Sequence, residues 1–178
     1  MINHDSKCIF IHIIKTGGVS IATALEMKER QFHASASEIR KKVGEKVWNE
    51  YYKFSFIRNP WEKLVSSYHY NHEKWVPKNT SFENYVKLWS TGSQITRHPP
   101  QNSPYLDEDI DFIGRFEKLE EDFQLICKKI GILNTGLPHM NKTSHKHYSA
   151  YYTEEMIKLV AKKFSEDIER FGYKFVRE

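Results

Sequence analysis

An unbroken uncharged run, Cys8-Ile9-Phe10-Ile11-His12-Ile13-Ile14, lies near the start of the chain, and Lys15-Thr16-Gly17-Gly18-Val19-Ser20 follows it directly. Residues 7–14 are β-branched or apolar almost throughout, the pattern of a strand buried on both faces in a parallel sheet. Ser20 to Met27 then has helical character, so the chain opens as strand, glycine loop and helix. The run is too short to cross a bilayer, which needs about 20 apolar residues. It also has no basic region before it and no small-residue cleavage site after it, so the run does not read as a secretion signal.

The same unit recurs. Tyr52 to Ile57 alternates into a second strand ending in Arg58-Asn59-Pro60, where Asn59 suits a helix cap and Pro60 its first position. In the helix that follows, Trp61, Leu64, Val65 and Tyr68 make a core-facing stripe. At about 100° per residue Ser66 falls on the opposite side. Ser37 to Trp48 reads as a helix with Ser37 at its cap, Ile110 to Phe116 as a third strand, and Leu119 to Lys129 as a helix. A last helix is expected from a Thr153 cap to Gly172. Strands alternating with helices imply an α/β fold with a mainly parallel central sheet flanked by helices, in a single domain over residues 1–178. Residues 90–108 are polar, carry three prolines, and are too long for a routine connection, which suits a substrate loop.

Composition narrows the function. The chain has 178 residues, of which 27 are basic and 23 acidic, a net charge of +4. That mild excess suits an anionic small ligand or a polyanion, and the basic residues are spread among acidic ones, unlike a dedicated nucleic-acid binder. The two cysteines, Cys8 and Cys127, form no CxxC pair and read as buried reduced thiols.

A glycine loop between a buried strand and a helix turns backbone N–H groups and the positive helix end toward one point. Lys15, Thr16 and Ser20 add an ammonium and two hydroxyls, and phosphate or sulfate is the natural guest. The ordinary P-loop pattern is absent, because the lysine precedes the glycines. The plain alternative is a tight turn with a solvated Lys15. Arg58, at the carboxyl end of the second strand where ligands of open α/β sheets bind, suits bidentate capture of phosphate, and Ser66 offers one more donor. Arg58 paired with Glu62 at the surface is the bland reading.

Together these segments resemble the carbohydrate-type sulfotransferases that use 3′-phosphoadenosine 5′-phosphosulfate (PAPS). Ile14-Lys15-Thr16-Gly17-Gly18-Val19-Ser20 is similar to the family's 5′-phosphosulfate loop, and Arg58-Asn59-Pro60 through Leu64-Val65-Ser66-Ser67-Tyr68 to its 3′-phosphate element. The likeness continues at residues 111–119, 137–142 and 171–173 and so covers nearly the whole chain. Ile14, Val19 and Lys63 replace the family's usual proline, threonine and arginine.

The resemblance implies a three-layer P-loop-like fold and an O-sulfotransferase with PAPS as donor. The acceptor implied is a hydroxyl of a saccharide or other small molecule. Lys15, Thr16, Gly17, Gly18 and Ser20 would hold the 5′-phosphosulfate, and Arg58 and Ser66 the 3′-phosphate. Lys15 would stabilise charge on the leaving phosphate, and His33 would be the base, since relatives place a histidine at that interval on a short strand. Otherwise His33 caps the next helix. Phe116 lies where relatives hold adenine, and Lys142 on a loop that closes over the nucleotide; core packing and plain exposure are the alternatives. Arg97, His98 and Gln101, with Gln94 and Tyr105, have the polar character of an acceptor site. His12 reads as a satisfied core histidine. No metal is expected, because no acidic pair accompanies either motif, nor is nucleic acid or a membrane span. Relatives with an amino-terminal anchor differ from this chain, so a cytoplasmic, microbial or viral enzyme is expected. A non-catalytic PAPS-like or polyanion-binding module, or a nucleotide kinase of related fold, stands as the competing class.

Overall fold

The computed structural model describes residues 1–28, 33–75, 77, 79–90, 101–133, 136–138 and 146–178. The strands are β1 (Ile2–Asn3), β2 (Cys8–Ile11), β3 (Tyr52–Ile57) and β4 (Phe112–Arg115). The helices are α1 (Gly18–Ala24), α2 (Ala36–Val43), α3 (Glu45–Glu50), α4 (Pro60–Trp75), α5 (Phe82–Ser90), α6 (Leu119–Ile130), α7 (Glu154–Lys163) and α8 (Ser165–Phe171). Single turns of 3-10 helix cover Ser103–Tyr105, Phe116–Lys118 and Tyr148–Tyr151. The chain divides into two compact units: Met1–Arg58 with Asn102–Asn141, and Asn59–Gln101 with Lys142–Glu178.

The whole sheet belongs to the first unit. Its order is β1-β2-β3-β4, with β2, β3 and β4 parallel and β1 antiparallel at the edge. This is the mainly parallel, helix-flanked α/β sheet that the alternating pattern implies. The first strand is shorter than expected, because the ladder with β3 ends at the Ile11–Ser55 pair and His12 leaves toward the glycine loop. The third strand likewise contracts from Ile110–Phe116 to Phe112–Arg115. β1, only two residues long, is too short to show any periodicity.

One face of the sheet builds the core. Cys8, Phe10, Phe54 and Phe56 pack with Ile21 and Ala22 of α1 and with Phe123, Ile126 and Cys127 of α6. The Phe10 and Phe54 rings stack at 5.0 Å. Both cysteines lie free in this core, as their apolar surroundings imply. Gly114 of β4 sits directly against Phe56, where an added Cβ would come within 2.5 Å of the ring. Two carboxylates fix β4: Asp111 accepts from the Lys53 backbone N–H at 2.7 Å and pairs with its ammonium at 2.9 Å, and Asp122 accepts from Arg115 N–H at 2.7 Å.

Two expected helices are broken. Ser37 to Trp48 splits into α2 and α3 at Gly44, whose φ of 81° a helix interior does not allow. The cap is Ser35 rather than Ser37, in a capping box with Glu38. Ser37 instead bonds Asp107 through its hydroxyl at 2.6 Å and its N–H at 2.9 Å. In the second unit the Thr153 cap and the Gly172 end are as expected, but Phe164 leaves helical geometry and separates α7 from α8. Asn59 caps α4 through its side-chain oxygen, which accepts from Trp61 N–H at 3.0 Å. Trp61, Leu64 and Val65 are buried as their stripe requires, yet so are Lys63, Ser66 and Ser67 on the other sides. α5, α7 and the 148–151 turn pack against α4, which has no free polar face over this stretch.

Gly114→Ala is expected to destabilise the chain by about 1–3 kcal/mol through overpacking against Phe56. Urea unfolding followed by circular dichroism measures it, and an unchanged midpoint contradicts this packing.

Candidate functional site

The three parallel strands end at one edge of the sheet, and each is followed at once by a residue the sequence singles out. β2 leads through His12 to Lys15, β3 to Arg58 and β4 to Phe116. Parallel topology therefore brings together residues more than 100 positions apart along the chain.

The glycine loop is tightly built. Lys15 adopts a left-handed conformation with φ 60°, and Gly17 follows with φ 79° at the cap of α1. Gly17 meets a second demand, since a Cβ there would lie 2.9 Å from the Leu119 side chain and 3.4 Å from the Phe116 ring. Gly18 is closer still to its neighbour: an added Cβ would fall 2.0 Å from ring atoms of His12. Thr16 is fully buried and its hydroxyl donates to the Ile13 carbonyl at 2.8 Å, so it locks the turn. Ser20 is buried in the first turn of α1.

Arg58 is held on several sides. Its Nη1 donates to the Lys15 carbonyl at 3.2 Å, and its guanidinium carbon stands 3.8 Å from the centre of the Phe116 ring. Asn102, fully buried, donates its amide N–H to the Arg58 carbonyl at 3.2 Å. Phe116 thus acts first as the platform for Arg58, by cation–π contact, and as the wall behind Gly17. Lys15 feels the result. Burial, and then the positive charge of Arg58, lower its ammonium from the ordinary lysine value to about 7.

His33 lies in the same unit and its imidazole has a defined role for each nitrogen. Nδ1 stands 2.9 Å from the His12 carbonyl oxygen. A carbonyl only accepts, so Nδ1 carries the proton and, in the neutral ring, Nε2 carries the lone pair. That is the tautomer a base needs. The rings of His12 and His33 contact each other at 4.2 Å. His12 is buried, as a core histidine should be, but it also touches the site on two sides.

The expected residues divide as follows. Lys15, Thr16, Gly17, Gly18, Ser20, His33, Arg58 and Phe116 all fall in the first unit. Ser66 is buried on α4 of the second unit, where Gln101 is half-buried. Arg97, His98 and Lys142, with Gln94 and the Gln31-Phe32 pair that would lead into His33 on a short strand, lie outside the described residues. Tyr105 is buried, and burial raises its phenol well above the ordinary range. Among the described residues no group of three or more His, Cys, Asp or Glu is placed to hold a metal ion, and no helix is long and apolar enough to cross a membrane. The sequence reading missed Asn102, which has no motif around it. It also missed the reach of His12, whose one signal is a polar residue in an otherwise apolar run.

A tight glycine loop and two neighbouring cationic side chains stand at the carboxyl edge of a parallel sheet, an edge whose chemistry suits an anionic group. The chain belongs to the sulfotransferase family, which it matches over residues 1–174. An uncharacterized protein of Archaeoglobus fulgidus is 39% identical over 97 residues, which cover 53% of this chain and 79% of that protein. No solved structure matches the chain.

Lys15 supplies a pH test. Its folded value lies near 7, below the unfolded value, so between pH 7 and about 10 the unfolded chain binds more protons and stability rises with pH. Lys15→Met removes the buried charge. It is expected to melt higher than the parent at neutral pH and to lose that advantage by about pH 10, as read by thermal unfolding across pH. A constant difference contradicts the lowered value.

Proposed function

We propose that this sulfotransferase moves a sulfuryl group from PAPS to a hydroxyl of a carbohydrate or other small acceptor, as a single catalytic domain. The observation that carries the reading is the crowding of Lys15 and Arg58. Burial and like charge push Lys15 toward neutrality, and an anion bound at the loop relieves both. A donor with two separate anionic groups suits two cations better than one phosphate does.

On this reading the main chain of the glycine loop, with Lys15 and Ser20, holds the 5′-phosphosulfate. Arg58 takes the 3′-phosphate, and Ser66 is assigned there by its motif. PAPS supplies the activated sulfuryl group, whose sulfur–oxygen bond to the 5′-phosphate breaks on transfer. The acceptor oxygen attacks sulfur while its proton passes to Nε2 of His33, and Lys15 offsets the charge that grows on the departing phosphate oxygen. Transfer between two oxygens rests mainly on positioning and charge. Arg97, His98 and Gln101 remain the proposed acceptor contacts, and Lys142 a closing contact to the nucleotide. The two free cysteines support a reducing, cytoplasmic setting.

Adenosine 3′,5′-bisphosphate is expected to raise the melting temperature well beyond AMP or ATP at equal concentration, by ligand linkage. Equal shifts with ATP, or no shift, would sink the reading. Because the anion raises the Lys15 value from about 7, binding takes up protons and the affinity should weaken as pH climbs above 7; titration calorimetry in buffers of different ionisation heat reads this directly. His33→Ala is expected to lower turnover of labelled PAPS by about 10²–10⁴-fold in a folded protein.

A further inference from the structure

We propose that His12 is a positioning residue which sets the spacing between the glycine loop and His33; the inference rests on the sulfotransfer reading above. Three contacts of one residue carry it. The imidazole edge of His12 lies so close over Gly18 that a methyl there would meet three of its ring atoms at 2.0, 2.0 and 2.9 Å. Its face stacks on Phe10 at 5.5 Å with the planes 20° apart, which fixes the ring against the core. On the remaining side it touches the His33 ring at 4.2 Å, while its own carbonyl receives the His33 Nδ1–H at 2.9 Å.

His12 is therefore a spacer between the residues assigned to the donor and the group assigned to the acceptor proton. The ring sets how far His33 stands from the loop, and the carbonyl sets which nitrogen of His33 carries the lone pair. Gly18 is the other half of the device. Its φ is not positive, so an alanine there meets no backbone objection, and the nearest obstacle is the imidazole itself. Glycine at this position is explained by the ring, whereas glycine at position 17 is explained by its dihedral angle. Nothing in this role requires the His12 nitrogens to move a proton, so a flat apolar ring is expected to replace it.

The test combines kinetics with spectroscopy on the full chain. His12→Ala is expected to lower kcat by about tenfold or more, in line with the cost of small misplacements. The dissociation constant of adenosine 3′,5′-bisphosphate should change by less than about threefold, the pattern of an interaction that matters only in the transition state. His12→Phe should recover most of the lost kcat. Gly18→Ala should weaken nucleotide binding and lower the melting temperature, and adding His12→Ala should restore part of both, a non-additive pair. In nitrogen-15 spectra His33 should be protonated at Nδ1 in the parent protein and in His12→Ala alike, because the carbonyl that accepts its N–H is main chain and survives the substitution.

Full kcat in a folded His12→Ala, equal damage from His12→Phe, additive Gly18 and His12 effects, or an Nε2-protonated His33 in the parent would each overturn the proposal. Absence of sulfuryl transfer by the parent would instead overturn the proposed function. The tautomer and the Gly18–His12 coupling in melting temperature need no activity, so the two failures are distinguishable.

Discussion

Lys15 and Arg58 are two cations that the folded chain keeps together against their mutual repulsion, and most of the first unit serves to hold them there. Arg58 cannot swing away, because its guanidinium is stacked on Phe116 and bonded to the Lys15 carbonyl, while Asn102 grips its main chain. The Lys15 backbone is fixed as well, in a left-handed conformation set by a turn that Thr16 locks and Gly17 completes. On the sulfotransfer reading proposed above, the free energy spent on this pair is recovered when an anion binds, and the preorganised cradle need not rearrange during transfer.

The arrangement depends on parallel pairing. β2, β3 and β4 deliver their chain ends to the same edge, so the loop lysine, the arginine and the aromatic platform meet without any contiguous sequence motif. The sheet itself is anchored by Phe10, Phe54 and Phe56 against α1 and α6. A change in that packing therefore reaches the site through strand position, and Gly114, Gly17 and Gly18 are positions where a single methyl is enough.

Much of this was legible in the sequence for physical reasons. The buried strands show as apolar runs, the anion loop as Lys15 beside Gly17 and Gly18, and the helix start as Asn59-Pro60. All of these are local signals. What stayed hidden depends on contacts between distant segments: Asn102 under Arg58, Phe116 as a platform, and the His12 ring over Gly18. The burial of Ser66 is hidden for the same reason, whereas the break at Gly44 is local, a glycine in a positive-φ conformation. A helical stripe reports one packing face, and it is silent when neighbours such as α5 and α7 cover a second one. Ser37 has the same chemistry as Ser35, and two features separate them: Glu38 completes a capping box with Ser35, while Ser37 bonds Asp107.

The bond from Asn102 to Arg58 has a topological meaning as well. Arg58 is where the chain leaves the first unit and Asn102 is where it comes back, so one buried amide closes the base of a long excursion. With its ends tied, the segment between them can lengthen or shorten at little entropic cost, because loop closure depends only weakly on length. Changes in the length of that segment therefore leave the Lys15–Arg58 geometry of the first unit in place.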